Sequence, residues 1–166
     1  MNITANIHAT CVRVARAGRV FGAPPSAGVL LIAESGAGKS DLALRLIGRG
    51  AQLVADDRTE LYVRRGRLMA RAPKTLSGLL EVRGLGIIEI VQAGPTPVSL
   101  VVNLSASVKR MPRHRSFVPP KPLMLPQQAR PISISLCAFE ASAPDKVLAA
   151  VAALHNDAFR ESVKRN

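Results

Sequence analysis

Gly28-Val-Leu-Leu-Ile-Ala-Glu-Ser-Gly-Ala-Gly-Lys-Ser-Asp41 decides how this chain reads. Val29 to Ile32 is an apolar run that reads as a buried strand, and Ala33 to Gly38 is a loop of mostly small residues. After Lys39 and Ser40 a helical pattern begins, with Leu42 above Leu46 and Ala43 above Ile47 at i,i+4 spacing. Strand, glycine-rich loop, Lys-Ser and helix is the phosphate-binding loop arrangement. Gly36 and Gly38 let the backbone turn its N–H groups inward with no Cβ in the way. The helix N-terminus offers unpaired donors and a partial positive charge. Lys39 can reach the β- and γ-phosphates, and the Ser40 hydroxyl can meet Mg²⁺. Ala33 stands where the pattern has its first glycine, which alanine can fill if φ stays negative. The motif predicts binding of a nucleotide's phosphates through Ala33, Glu34, Ser35, Gly36, Ala37, Gly38, Lys39 and Ser40.

The rest of the chain limits what such a loop can serve. At 166 residues with 48% hydrophobic content, the expectation is one globular domain over residues 1–166. Aromatics make up only 3%, so the core must be aliphatic. Cys11 and Cys137 match no metal spacing and read as buried thiols of a reduced, cytoplasmic protein. No apolar run resembles a secretory signal or approaches the roughly 20 residues of a membrane span. The net charge is +12, and no acidic residue lies between Glu89 and Glu140, whereas Lys109, Arg110, Arg113, Arg115, Lys121 and Arg130 do. Such a surface attracts anions. It lacks the interleaved aromatics that stack on bases, Phe117 being the only one in the basic stretch, so nucleic acid is not an expected partner.

Along the chain, residues 5–32 read as three short strands: Ile7 to Val14, Arg19 to Phe21 after a turn at Gly18, and the strand of the phosphate loop. The helix should stop near Gly48 or Gly50. Gln52 to Ala55 reads as a strand parallel to the phosphate-loop strand, joined by a right-handed crossover. Asp56-Asp57 sits at its carboxyl end, where open α/β sheets bind ligands, so both carboxylates should face the nucleotide. A hairpin follows across Arg64 to Arg67, then either a short helix or an irregular crossing segment over Pro73 to Leu80. Glu81 and Arg83, two apart, point to one face if they share a strand. Val98 to Leu104 and Ile132 to Ala138 read as strands, separated by a basic, proline-rich loop or edge segment suited to binding a partner. Ala143 to about Lys164 reads as a helix with Ser142 as N-cap and Val147, Val151, Leu154 and Ala158 as its apolar stripe.

Three strings in order, Glu34-Ser-Gly-Ala-Gly-Lys-Ser40, Leu53-Val-Ala-Asp-Asp-Arg58 and Leu79-Leu-Glu-Val-Arg-Gly-Leu-Gly-Ile-Ile88, carry a resemblance. From about His8 to Ala138 the chain resembles the catalytic domain of bacterial HPr kinase/phosphorylase, in the short form of alphaproteobacterial members. The resemblance implies an α/β fold: a P-loop NTPase-like mixed sheet with flanking helices, of the HPr kinase and PEP carboxykinase type. It implies an ATP- and Mg²⁺-dependent kinase acting on a serine of HPr, the small phosphocarrier of the sugar phosphotransferase system, and a homo-oligomer, hexameric in the family. It implies that Lys39 grips phosphate, that Ser40 and Glu81 serve Mg²⁺, and that Asp57 accepts the proton of the substrate serine. His8, Asp56, Arg83 and Arg130 fall on active-site positions of the family.

The chain departs from longer members in beginning almost at the catalytic domain, so no N-terminal regulatory domain is expected. It departs again at Phe139-Glu-Ala-Ser-Ala-Pro-Asp145, where the family segment tied to the reverse phosphorolysis is not recognisable. Two alternatives stand beside HPr phosphorylation: the same chemistry on another substrate, and a nucleotide-sensing module with little turnover.

Overall fold

A computed structural model describes residues 3–15 and 26–159. The first strand, β1 (Thr4–Val14), is long enough to serve two neighbourhoods. Its first half, Thr4 to His8, pairs antiparallel with β4 (Arg58–Arg64). Its second half, Ala9 to Val14, pairs antiparallel with β2 (Ala27–Ile32), and the opposite edge at Cys11 to Arg13 takes β3 (Gln52–Ala55). The strand following helix α1 (Lys39–Ile47) is therefore parallel to β2, as expected, but β1 lies between them.

The other strands complete a ring. β4 forms a hairpin with β5 (Arg67–Arg71), whose turn places Arg65 at φ 50° and Gly66 at φ 72°. β5 pairs with the start of β8 (Thr96–Leu104), and β8 runs parallel to β2 from Gly28↔Val98 to Ile32↔Asn103. Thus β1, β4, β5, β8 and β2 close on themselves. Beyond β8 lie the parallel strand β10 (Ile132–Leu136) and the two-residue edge strand β9 (Arg115–Ser116). β6 (Leu79–Val82) and β7 (Gly86–Glu89) form a separate hairpin.

Period-2 alternation assigns the core. Cys11, Leu30, Leu61, Leu68 and Val101 fill the inside of the ring. Val12, Val29, Leu31, Leu100 and Val102 face outward, against Leu42 and Leu46 of α1 and Val147 and Val151 of α2 (Ala143–His155). Truncating one of these fully buried leucines to alanine would cost roughly 2–5 kcal/mol. A third cluster, Leu53, Leu80 and Val82 with Ile47 and Ile88, seats the β6–β7 hairpin beside α1. Gly28 is required by packing: a Cβ there would lie 2.5 Å from the Pro97 carbonyl oxygen.

Some expectations are corrected and others are narrowed to one of their alternatives. β1 begins at Thr4, and the expected strand Arg19 to Phe21 lies outside the described residues. Pro73 to Leu80 holds one 3₁₀ turn, Lys74–Leu76, before β6 starts. Arg83 is not on a strand: β6 ends at Val82, and the N–H of Leu85 turns back to the Val82 carbonyl. α1 closes with Gly50, not Gly48, in the left-handed region, at φ 95°. α2 stops at His155, short of Lys164. A turn follows in which Asp157 takes φ 50°, and Ser142 makes no side-chain cap.

Both cysteines are free. Burial pushes the Cys11 thiol up to about 12, which suppresses the reactive thiolate. Cys137 is only partly buried. A thiol reagent at pH 8 should label Cys137 alone in the native chain and both cysteines after denaturation. Native labelling of Cys11 at a comparable rate, read by mass spectrometry, would contradict this core.

Candidate active site

Lys39 is the first residue of α1, and Gly38 caps the helix at φ 91°. No side chain caps this end, so its N–H groups are available to an anion. Gly36, at φ 81°, provides the other left-handed turn, while Ala33 is not among the residues of positive φ, the condition that alanine needed. Gly38 has a second reason to be glycine. A Cβ there would lie 2.8 Å from the Ala138 Cβ and 3.1 Å from the Phe139 ring.

The Lys39 side chain folds back over the loop, its Nζ donating to the carbonyl oxygens of Ala33 at 2.9 Å and Glu34 at 3.0 Å. Only 6% of the residue is exposed. Burial holds its ammonium below the ordinary lysine value of 10.5, with Asp57 and then Asp56 pulling the other way.

The adjacent carboxylates have different fates. Asp56 is 5% exposed. Its Oδ1 accepts from the Thr10 hydroxyl at 2.7 Å and the Ser40 hydroxyl at 2.9 Å, and its Oδ2 from the Glu81 N–H at 3.1 Å. Asp57 projects outward. It takes φ 63°, the Arg58 N–H reaches back to the Asp56 carbonyl at 2.7 Å, and the Asp57 carbonyl accepts from the Ala9 N–H. A non-glycine residue held at such an angle, beside so tight a turn, stores strain of the kind that collects at functional sites. His8 Nε2 lies 3.0 Å from Asp57 Oδ1. The expectation that both carboxylates face the ligand is thus corrected: the three donors hold Asp56 inward.

A cavity of about 300 Å³ opens over the helix N-terminus. Its walls include His8, Ser35, Gly36, Gly38, Lys39, Ser40, Asp57, Glu81 and Arg83. The Arg83 guanidinium lies over Gly36. Ala33 and Glu34 contribute the carbonyls that hold Lys39, and neither they nor Ala37 nor Asp56 line the cavity. Arg130 lies apart, in a second cavity of about 770 Å³ with Lys121 and Leu123, its Nε donating to the Leu125 carbonyl. Thr10 and Phe139 were not singled out from the sequence as site residues. Thr10 carries no local signal, and Phe139 falls in the stretch that departs from the family pattern.

The donors around the cavity, Ser40, Asp57 and Glu81, are hard oxygens that suit magnesium. Among the described residues, no cluster of three or more His, Cys, Asp or Glu forms a ready-made cage. Magnesium needs only one or two protein groups when phosphate oxygens complete its shell, so these residues fit the ion.

Residues 4–112 match the family described as HPr Serine kinase C-terminal domain. The chain belongs to that family. Among curated relatives, the HPr kinase/phosphorylase of Lactobacillus delbrueckii subsp. bulgaricus is 43% identical over 86 residues, which are 47% of this chain and 27% of the relative. The HPr kinase/phosphorylase of Clostridium tetani is 52% identical over 63 residues, 38% of this chain and 21% of the relative. The matches thus span about a quarter of the length of these relatives. A solved structure, that of the Hpr(Ser) kinase/phosphatase from Coxiella burnetii, superposes with a TM-score of 0.68 at 23% identity, covering 89% of this chain and 93% of that one. That likeness establishes the HPr kinase fold, a mixed sheet carrying the phosphate loop.

The two loop glycines separate by test. An alanine at either meets the strain of positive φ, about 1–3 kcal/mol. Only at position 38 does it also meet a fixed backbone-anchored neighbour. Gly38→Ala should lower the thermal midpoint by several degrees and by more than Gly36→Ala, taking about 2–4 °C per kcal/mol at this size. Equal shifts in the two variants would show that Ala138 does not press on the loop.

Proposed function

We propose that this chain is an ATP-dependent kinase that transfers the γ-phosphoryl group to a serine of the phosphocarrier HPr. The observation that carries this reading is a single cavity, at the N-terminus of α1, that is lined by both Lys39 and Asp57, the latter held at a positive φ. The family and the names of its relatives support the substrate.

Phosphoryl transfer asks the protein mainly for positioning and charge. The N–H groups of the loop and of the first turn of α1 receive the β-phosphate. Lys39 exchanges the carbonyls of Ala33 and Glu34 for phosphate oxygens. Ser40 and Glu81 would hold magnesium, which neutralises phosphate charge when bound. Asp56 fixes the Ser40 hydroxyl from behind. Asp57 takes the proton of the serine hydroxyl as its oxygen attacks the γ-phosphorus, and ADP departs; a positioned carboxylate base adds about 10²–10⁴-fold. His8 steadies Asp57. Arg83 offers its charge to the transferring group, and Arg130 is assigned to the same clamp on the resemblance alone.

The basic, proline-rich segment 106–131 is the proposed contact for the acceptor protein, by charge. No helix among the described residues is long and apolar enough to cross a membrane. We place the protein in the cytoplasm, as a homo-oligomer of the hexameric kind that the family resemblance implies.

Labelled ATP with HPr, beside an HPr whose acceptor serine is replaced, tests the reading. Label should pass to the first and not to the second, and transfer to neither would remove HPr as acceptor. Added inorganic phosphate with phosphoseryl-HPr tests the reverse reaction, which would release pyrophosphate. Asp57→Ala should reduce transfer at least a hundredfold while nucleotide affinity stays within a few fold. Near-normal transfer in that variant would take Asp57 out of the base role. Lys39→Ala should lower nucleotide affinity and turnover together.

A further inference from the structure

Phe139 has no role in the chemistry above, yet it stands in the site. It follows β10, and its ring rests against Gly38, the residue that caps α1. It lines the phosphate cavity and is 68% exposed. Among the described residues it is the only Phe or Tyr classed as exposed. Phe117 packs partly into the ring core, Tyr62 is buried beneath Arg71, and Phe159 meets His114 edge-on. An exposed phenyl ring offers a flat apolar face, and this one stands on the wall of the phosphate cavity.

The backbone on either side of the ring is held by the phosphate-loop helix itself. Arg45 of α1 donates to the carbonyls of Ala138 and Glu140, the residues on either side of Phe139, and is braced by Asp41. The Glu140 side chain pairs with Lys146, and the Ala143 N–H returns to the Glu140 carbonyl. A flat apolar face is therefore clamped one residue from the lysine that would hold phosphate. Leu44, part exposed on the same helix, lines the same cavity.

We infer that Phe139 is the platform on which the base of a bound nucleoside triphosphate stacks. This rests on the nucleotide reading above and adds to it the place of the base. A stacking face accepts any base plane and needs no edge hydrogen bonds. The cavity supplies polar groups for the phosphates at Gly36, Gly38, Lys39 and Ser40 and apolar surface at Phe139 and Leu44, a division matching a ligand with a charged tail and a flat head.

The test compares ATP with inorganic tripolyphosphate, which has the tail and no base. Both are titrated with Mg²⁺ into the full chain, Phe139→Ala and Phe139→Leu, by calorimetry. Leucine keeps apolar bulk against Gly38 and lacks the π-face, so it guards against a loop that loosens when emptied. The expected result is that the ratio of ATP to tripolyphosphate affinity falls roughly tenfold or more in both variants, with tripolyphosphate affinity unchanged. An unchanged ratio, whether both affinities hold or both fall together, overturns the base platform and leaves the phosphate site standing. A wild-type chain that binds neither ligand overturns the nucleotide reading and the platform with it.

Discussion

A carboxylate out of reach of water must have its lone pairs satisfied, and Asp56 meets that demand from three directions. The Thr10 hydroxyl comes from β1, the Ser40 hydroxyl from α1 and the Glu81 N–H from β6. Removing any one leaves part of a buried charge unpaired, a penalty larger than the hydrogen bond itself contributes. The same three bonds register the site. They set the Ser40 hydroxyl at the helix start, bring the β6–β7 hairpin and Arg83 to the phosphate loop, and leave Asp57 no room but outward. Among the described residues, no buried side-chain nitrogen or oxygen lacks a partner, so this is a finished network. Its geometry is what gives two adjacent aspartates different surroundings, one buried in the network and one facing the cavity.

The parts of the fold that were legible in sequence are those written in local patterns. Val29 to Ile32 and the i,i+4 pairs of α1 state their elements directly, and the Arg65-Gly66 turn identifies its hairpin. The insertion of β1 between β2 and β3 was not legible, because an antiparallel partner joined by no tight turn leaves no mark on either strand. The extent of α2 was overread for a related reason. Its apolar stripe runs on past His155 to Ala158, but the chain turns at Asn156 and Asp157.

The site divides in the same manner. Gly36, Gly38, Lys39 and Ser40 are neighbours in sequence and in space, so their arrangement follows from one motif. Asp57 was expected near that motif because it follows the end of β3, and it does line the same cavity. Asp56 was misplaced, since its inward turn depends on tertiary partners, among them Thr10, forty-six residues away, and the Glu81 N–H. Phe139 reaches Gly38 from beyond the carboxyl end of β10, two strands along the sheet from β2 and about a hundred residues away in the chain, and nothing beside it in sequence announces the contact. Gly28 and Gly38 show the reverse case, visible as glycines and yet explained only by Pro97 and Ala138.

The closed circuit of β1, β4, β5, β8 and β2 has a consequence for biosynthesis. Its last member is β8, which supplies the parallel partner of β2 and the second neighbour of β5. Until Thr96 to Leu104 leaves the ribosome, β2 has an open flank and the loop that it carries has no fixed base. Long-range parallel pairing of this kind is slow to form. The loop after β2 is therefore translated early and takes shape late.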